Sequence, residues 1–292
     1  MEKIDKSRFA WVGSDPEKRE GMARPSVTYW KDAIGRLKKN RVAMVCLCII
    51  ILLILSCVII PWVTPFDSRE QHLSCSNKGF FFSCVDERYE GQNLVHVFGT
   101  DRLGRDLLVR TFEGGRVSLM IAFAAVAVNL VVGMIYGGIS GYFGGLADNI
   151  MMRIVEVING IPYMIIVVLL MMVLPQGIFT MVIAYATTGW TGMARLVRGQ
   201  CLSLKNQEFV VASEAMGAKA GRIIGKHLLP NALSVIIINV TLAVPSAIFT
   251  EAFLSYIGLG VPVPQPSWGM LAQEGASVFQ LYPHQLLSLI HI

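Results

Sequence analysis

From Val117 to Ala147 the chain runs for 31 residues without one charged side chain, and that run fixes the medium in which it folds. A hydrocarbon layer about 30 Å thick takes about 20 apolar residues in helical form. Inside it the backbone finds no water, so such a run must be a helix. Three more stretches share the character. Val42–Trp62 has no ionisable group except thiols, Ile154–Thr191 carries Glu156 as its only carboxylate, and Ala232–Thr250 carries none. Only 15% of the chain is charged, against roughly 25% in soluble domains. An all-α integral membrane protein is expected, with spans near 42–63, 117–139, 155–174, 178–196 and 232–256. Leu174-Pro175-Gln176-Gly177 breaks the third from the fourth. Beyond Pro283 the apolar residues read as the opening turns of a sixth span, too short to cross, so five complete spans, an incomplete sixth and an apparently truncated C-terminus are expected.

Basic residues orient the chain. Residues 1–41 hold eleven Lys and Arg, and residues 195–226 hold six against two acids. Both belong inside by the positive-inside rule, and one crossing followed by three more keeps them together. Residues 1–41 then form a cytoplasmic N-terminal tail and amphipathic lead-in, in which Trp30, Ile34 and Leu37 recur at helical spacing among Lys and Arg. Residues 42–63 form the first transmembrane helix, and 64–116 an external loop with an interfacial helix. The remaining membrane core is 117–292, with a cytoplasmic loop at 197–231. In the external loop Thr100 is positioned to cap a helix that ends at Gly114-Gly115, with Asp101 or Asp106 paired to nearby arginines. Cys75 and Cys84 flank "SNKGFFFS" on the side where disulfides persist, and a bridge between them would hold Phe80, Phe81 and Phe82 as a compact knob. Cys46, Cys48 and Cys57 are expected as small hydrophobes of the first span, and Cys201 as a free thiol inside.

Small residues mark close packing. Gly133, Gly137, Gly141 and Gly145 recur every four residues, the spacing that lets helix backbones approach. Pro162 interrupts the third span, because it lacks a backbone donor. No carboxylate, His or Lys lies near the middle of a span, where an ion-driven carrier would need one. There is no P-loop, GxSxG, HExxH or CxxC pattern, and His72, His96, His227, His284 and His291 are expected at surfaces or interfaces rather than as ligands. No catalytic group, metal site or nucleic-acid contact is expected of this chain.

The segment Lys205–Asn231 is of another kind. Asn206 is positioned to cap a short helix with Phe209, Val210, Val211 and Ala212 on a broad apolar face. Gly217 ends that helix in the left-handed conformation. A second helix, Lys219–Leu228, turns Ile223 and Ile224 inward and Lys219, Arg222 and Lys226 outward, and Pro230-Asn231 opens the next span. A helical hairpin with a small-residue corner fits a groove on another protein.

"EFVVASEAMGAKAGRIIGKHLLPN" resembles the Glu-Ala-Ala loop of ATP-binding-cassette importer permeases. The match departs from the generic motif at Val211, Ser213 and His227, in the manner of the peptide and nickel branch. "FGTDRLGRDLLVR", "MRIVEVINGIP" (with Glu156 where that branch has Asp) and "SYIGLGVPVPQPSWGMLAQEG" are similar to further blocks of that branch, and the basic lead-in resembles its second permease subunit. The resemblance covers about residues 30–283. It implies a type I importer transmembrane domain in a bacterial or archaeal cell membrane, with the N-terminus cytoplasmic. It forms half of a heterodimeric pore for di- or oligopeptides, with a second permease subunit, ATPase subunits that hold ATP and Mg, and an external solute-binding protein. The coupling residues so implied are Phe209, Ala212, Glu214, Ala215, Met216, Gly217, Ala218, Ile223, His227 and Pro230. The hairpin would transmit force through rigid packing of Phe209, Met216 and Ile223. Import of nickel or a metal chelate is the alternative within the family, and a channel or intramembrane enzyme the distant one outside it.

Overall fold

The computed structural model describes residues 29–85 and 93–290. Most of the expected N-terminal tail, the side chain of Trp30 and His291 lie outside the described residues. The chain divides into two compact units, residues 1–52 and 53–292.

The first unit holds α1 (Tyr29–Lys39) and the opening of α2 (Arg41–Val63). In α1, Asp32 pairs with Arg36 at 2.8 Å, while Ile34 and Leu37 stay exposed. Asn40 separates the two helices and its Oδ1 accepts from the Ala43 amide at 3.2 Å. α2 is apolar on every side and exposed along nearly all of its length, the signature of a helix whose surroundings are themselves apolar. Cys46 and Cys48 are exposed there rather than buried.

The second unit is built on α3 (Leu107–Phe143), α4 (Gly145–Gly160), α5 (Tyr163–Val173), α6 (Ile178–Leu204), α7 (Glu208–Ala215), α8 (Ala220–Ile223), α9 (Leu229–Tyr256), α10 (Trp268–Ser277) and α11 (His284–Ile290). Among the described residues three helices are long and apolar enough to cross a membrane: α2, α3 and the continuous Ala220–Tyr256. A fourth is added if α4 and α5, bent by 79° at Ile161-Pro162, count as one broken span. The expected third span thus begins ten residues early and is two helices. α6 has the length of a span but is diluted by Thr, Gly and two arginines.

α3 differs most from expectation. No interfacial helix ends at Gly114-Gly115; one helix of 37 residues, about 55 Å long, runs through both glycines. Its cap is Asp106, whose Oδ1 accepts from the Val109 amide at 2.9 Å, not Thr100, which stands in an isolated bridge opposite Asp106. The glycines serve close approach instead. A Cβ on Gly115 would stand 2.7 Å from the Cys57 Sγ and from the Trp268 ring, and one on Gly114 3.2 Å from the Ser267 backbone. Lower down, Gly133, Gly137 and Gly141 press on Met193, Ala194, Val197, Arg198 and Cys201 of α6. Gly189 of α6 returns the fit by receiving the Asn129 amide. The four-residue spacing therefore works as expected for three glycines, while Gly145 starts α4 and faces open space.

At the α3 N-terminal end lies a polar platform. Asp101 accepts from Arg105 Nε at 2.7 Å and pairs with Arg110, and both arginines also reach Glu274 of α10, at 3.5 and 3.2 Å. Arg110 is completely buried, and its Nε and Nη2 have no hydrogen-bond partner among the described residues. Asp106 pairs instead with His96 at 2.7 Å, and Phe66 stacks on that ring. His96 and His284 are therefore buried groups, not surface ones. A two-stranded antiparallel ribbon, β1 (Phe82–Val85) with β2 (Asn93–His96), breaks the all-helical pattern. Cys75 and Cys84 stand at bonding distance with Cα atoms 6.3 Å apart. The three phenylalanines between them do not form one knob: Phe80 meets His284, Lys78 sits over Phe82, and Phe81 points outward. α10 wedges between α3 and α9, where Ser118 and Ser255 each donate to the buried Glu251 at 2.7 Å.

Candidate functional site

The hairpin forms at the opposite end of α3. Gln207, not Asn206, occupies the cap position of α7 and makes no side-chain cap bond; the Gln207 carbonyl accepts from Val210 and Val211. Glu208 in the first turn suits the positive end of the helix dipole. At the far end the Ala218 amide donates to Ser213 O at 3.0 Å and the Gly217 amide to Glu214 O at 2.8 Å. These two bonds are the paired closure of a Schellman motif. It requires a positive φ at Gly217, observed at +80°.

α7 has two apolar faces, not one. Val210 and Ser213 turn inward and are buried, whereas Phe209, Val211, Ala212, Ala215 and Met216 are exposed, Met216 by 81%. Val210 joins Ile223, Leu228, Cys201, Val197, Ala232 and Ile236 in one buried cluster. Of the three residues expected to pack the hairpin rigidly, only Ile223 does so. Phe209 and Met216 look outward, and the rigidity comes from Val210, Leu228 and Cys201 in their place. Ala218 and His227 are half-buried; Glu214, Gly217 and Pro230 are exposed.

The second arm does not end at Pro230. After α8, residues Ile224–Leu228 make one π turn and lead without a break into α9. Proline cannot donate to the carbonyl four residues back and its ring crowds that carbonyl. The wider turn just before Pro230, closed by Leu229 N to Ile224 O, lets the helix continue. The hairpin corner is therefore the tip of a 37-residue helix, Ala220–Tyr256.

Two links fasten this end. Tyr142 Oη, on the last turn of α3, donates to Glu214 Oε1 at 3.0 Å. Asp148 accepts both Nε and Nη2 of Arg198 at 2.5 Å and the Ser140 hydroxyl at 2.5 Å, so one buried carboxylate joins α3, α4 and α6. These residues are 50 apart or more from some of their partners, and no local pattern announces them. The arrangement holds no nucleophile–base pair. What it offers is an exposed apolar tip on a rigid stem.

The family model for the binding-protein-dependent transport system inner membrane component matches residues 129–290, which contain the whole hairpin. The model for the N-terminal TM domain of oligopeptide transport permease C matches residues 28–79. The oligopeptide transport system permease protein OppC of Bacillus subtilis (strain 168) is 45% identical over 286 residues, 98% of this chain and 90% of that one. The dipeptide transport system permease protein DppC of the same organism is 45% identical over 268 residues, 91% of this chain and 80% of that one. A solved inward-facing structure of the MetNI methionine ABC transporter aligns with a TM-score of 0.52 at 21% identity, covering 63% of this chain and 88% of that one; that likeness is one of fold.

Proposed function

The chain belongs to the family of binding-protein-dependent transport system inner membrane components, and from that premise we propose that it is a pore-forming permease subunit of an ATP-driven importer of di- and oligopeptides. The names of its relatives point to peptides and do not favour nickel or a metal chelate. In this reading α2, α3, the bent α4–α5 pair, α6 and α9 make five crossings of a cell membrane from a cytoplasmic N-terminus, with α11 beginning a sixth. Residues 64–106 and α10 face outward, toward a solute-binding protein. Cys75 and Cys84 are bridged in that compartment. A second permease subunit completes the pore, and partner ATPase subunits bind and hydrolyse ATP with Mg.

The observation that carries the reading is the hairpin and its stem. Its docking surface is Phe209, Ala212, Glu214, Ala215, Met216, Gly217 and Ala218, with Ile223, His227 and Pro230 behind it. Closure of the ATPases moves that tip. Because Ala220–Tyr256 is one continuous helix, the displacement passes into the membrane as motion of a rod. Ser118 and Glu251 tie the far part of that rod to α3, so both ends of the bundle move together.

Gly217→Glu in the assembled transporter tests this. The substitution puts a Cβ and a charge at a left-handed corner with open space around it, so it costs the fold only local backbone strain of about 1–2 kcal/mol, whereas a partner groove has no room for it. Membrane insertion is retained, and substrate-stimulated ATP hydrolysis falls at least roughly tenfold, about 1.4 kcal/mol of coupling. Gly217→Asn, which tolerates the same backbone, keeps most of the stimulation. Unchanged stimulation in the Glu variant overturns the docking assignment.

A further inference from the structure

An open cleft of about 910 Å³ lies between α4 and α6, beside the Asp148–Arg198 link. Its size falls within the range of small-ligand sites, roughly 300–1,000 Å³. Its charged lining is Arg153, Glu156, Arg195 and Arg198, and these four are not equivalent. Arg198 is engaged on both arms of its fork by Asp148 and acts as a fixed wall. Arg153 and Glu156 hold each other at 2.7 Å, both well exposed, a pair worth little in water. Arg195, one helical turn before Arg198, makes no ion pair or side-chain hydrogen bond with any described residue. Asn149 adds an amide to the same lining.

An unengaged guanidinium in a cleft is a ready partner for a planar two-oxygen anion, because its fork matches a carboxylate with two parallel bonds. Glu156 offsets Arg153 and Asp148 offsets Arg198, so the uncompensated charge is that of Arg195, which matches one carboxylate better than a multiply charged phosphate. In the topology proposed above the cleft opens at the cytoplasmic end, where an imported peptide leaves. Every unmodified linear peptide carries one C-terminal carboxylate whatever its side chains.

We propose that the α4–α6 cleft is a peptide subsite in which Arg195 receives the C-terminal carboxylate of the departing substrate. This deepens the peptide-import reading and rests on it.

The test uses the complete transporter, with its partner permease, ATPases and binding protein, in proteoliposomes. The quantity read is the ratio of initial uptake rates of a tripeptide with a free C-terminus and the same tripeptide as its C-terminal amide. One binding protein delivers both peptides to every variant, so its own preference cancels when variants are compared. Arg195→Gln lowers the free-acid to amide ratio about tenfold, and Arg195→Lys, which keeps the charge and loses the fork, lowers it by less than Arg195→Gln does. A ratio unchanged in Arg195→Gln overturns the proposal, whether both uptakes fall together or neither falls. A second arm varies phosphatidylglycerol content. If Arg195→Gln abolishes a dependence on that lipid and leaves the peptide ratio intact, the cleft takes a lipid phosphate and the proposal is overturned. Failure of the import reading is distinguishable, since the unsubstituted transporter would then move neither peptide.

Discussion

The two ends of α3 are held by opposite means. At the Leu107 end, buried charges do the holding: Asp101, Arg105 and Arg110 reach across to Glu274, and His96 meets Asp106. At the Phe143 end the hairpin sits on Val210, Ile223, Leu228 and Cys201, all fully buried, with one carboxylate–guanidinium pair beside them. Buried ion pairs tolerate little displacement, because each separated charge is left in a poor solvent. Apolar surfaces are non-directional and permit small sliding at little cost. The charged end thus suits a fixed rim, and the apolar end an element that shifts as a body while exposing Phe209, Val211 and Met216.

The sharpest way to break this contrast is at Asp101. Asp101→Ala leaves Arg105 and Arg110 buried without the carboxylate they share, and a cost of about 3–5 kcal/mol is expected. Thermal inactivation of the purified complex measures it. A loss under about 1 kcal/mol would mean that Glu274 alone compensates both arginines.

At the other end Ile223→Ala, which empties a fully buried site, costs about 2–5 kcal/mol. Val211→Ala, twelve residues earlier on the exposed face of α7, stays within about 0.5 kcal/mol but weakens co-purification with the ATPases. If the two variants lose equal stability, the division of the hairpin into a packed and a presented face is wrong.

The most local effect belongs to the external cysteines. Cys75→Ser with Cys84→Ser opens a short loop and is expected to lower local stability by about 2–3 kcal/mol. The effect is confined to the platform, so protection of residues 73–85 and 93–100 in hydrogen exchange falls while the hairpin is unchanged. Two alkylatable thiols in the unreduced protein would show instead that no bridge forms.

Much of this architecture was legible from residue order. Unbroken apolar runs announce the long helices, and glycines four apart announce the α3–α6 contact. Pro162 announces a break, and Gly217 announces the corner. What stayed hidden has a common cause. Arg110, Glu113 and Arg116 suit an interfacial helix better than a span, so the sequence reads as a helix ending at Gly114-Gly115 and a separate span from Val117, yet Arg110 is compensated by partners at positions 101 and 274 and the helix is continuous. Phe209 and Val211 look like core, yet they face outward, because a helix of eight residues has only one inner face and Val210 takes it. The Asp148–Arg198 pair joins residues 50 apart that only the folded bundle brings together. Pro230 reads as a boundary until the wider turn before it is seen.

That wider turn has a directional consequence. A single residue in an α-helix corresponds to about 100° of rotation about its axis, and a π turn accommodates one residue more than the α-helical ladder would. Ile224–Leu228 therefore acts as a phase shifter between the hairpin and the stem. Removing one residue there would preserve both helical segments, yet would swing the presented face by more than a quarter of a circle relative to Glu251. If the hairpin is the docking element proposed above, the compass bearing along which a push at Met216 enters the stem is set by this one wide turn.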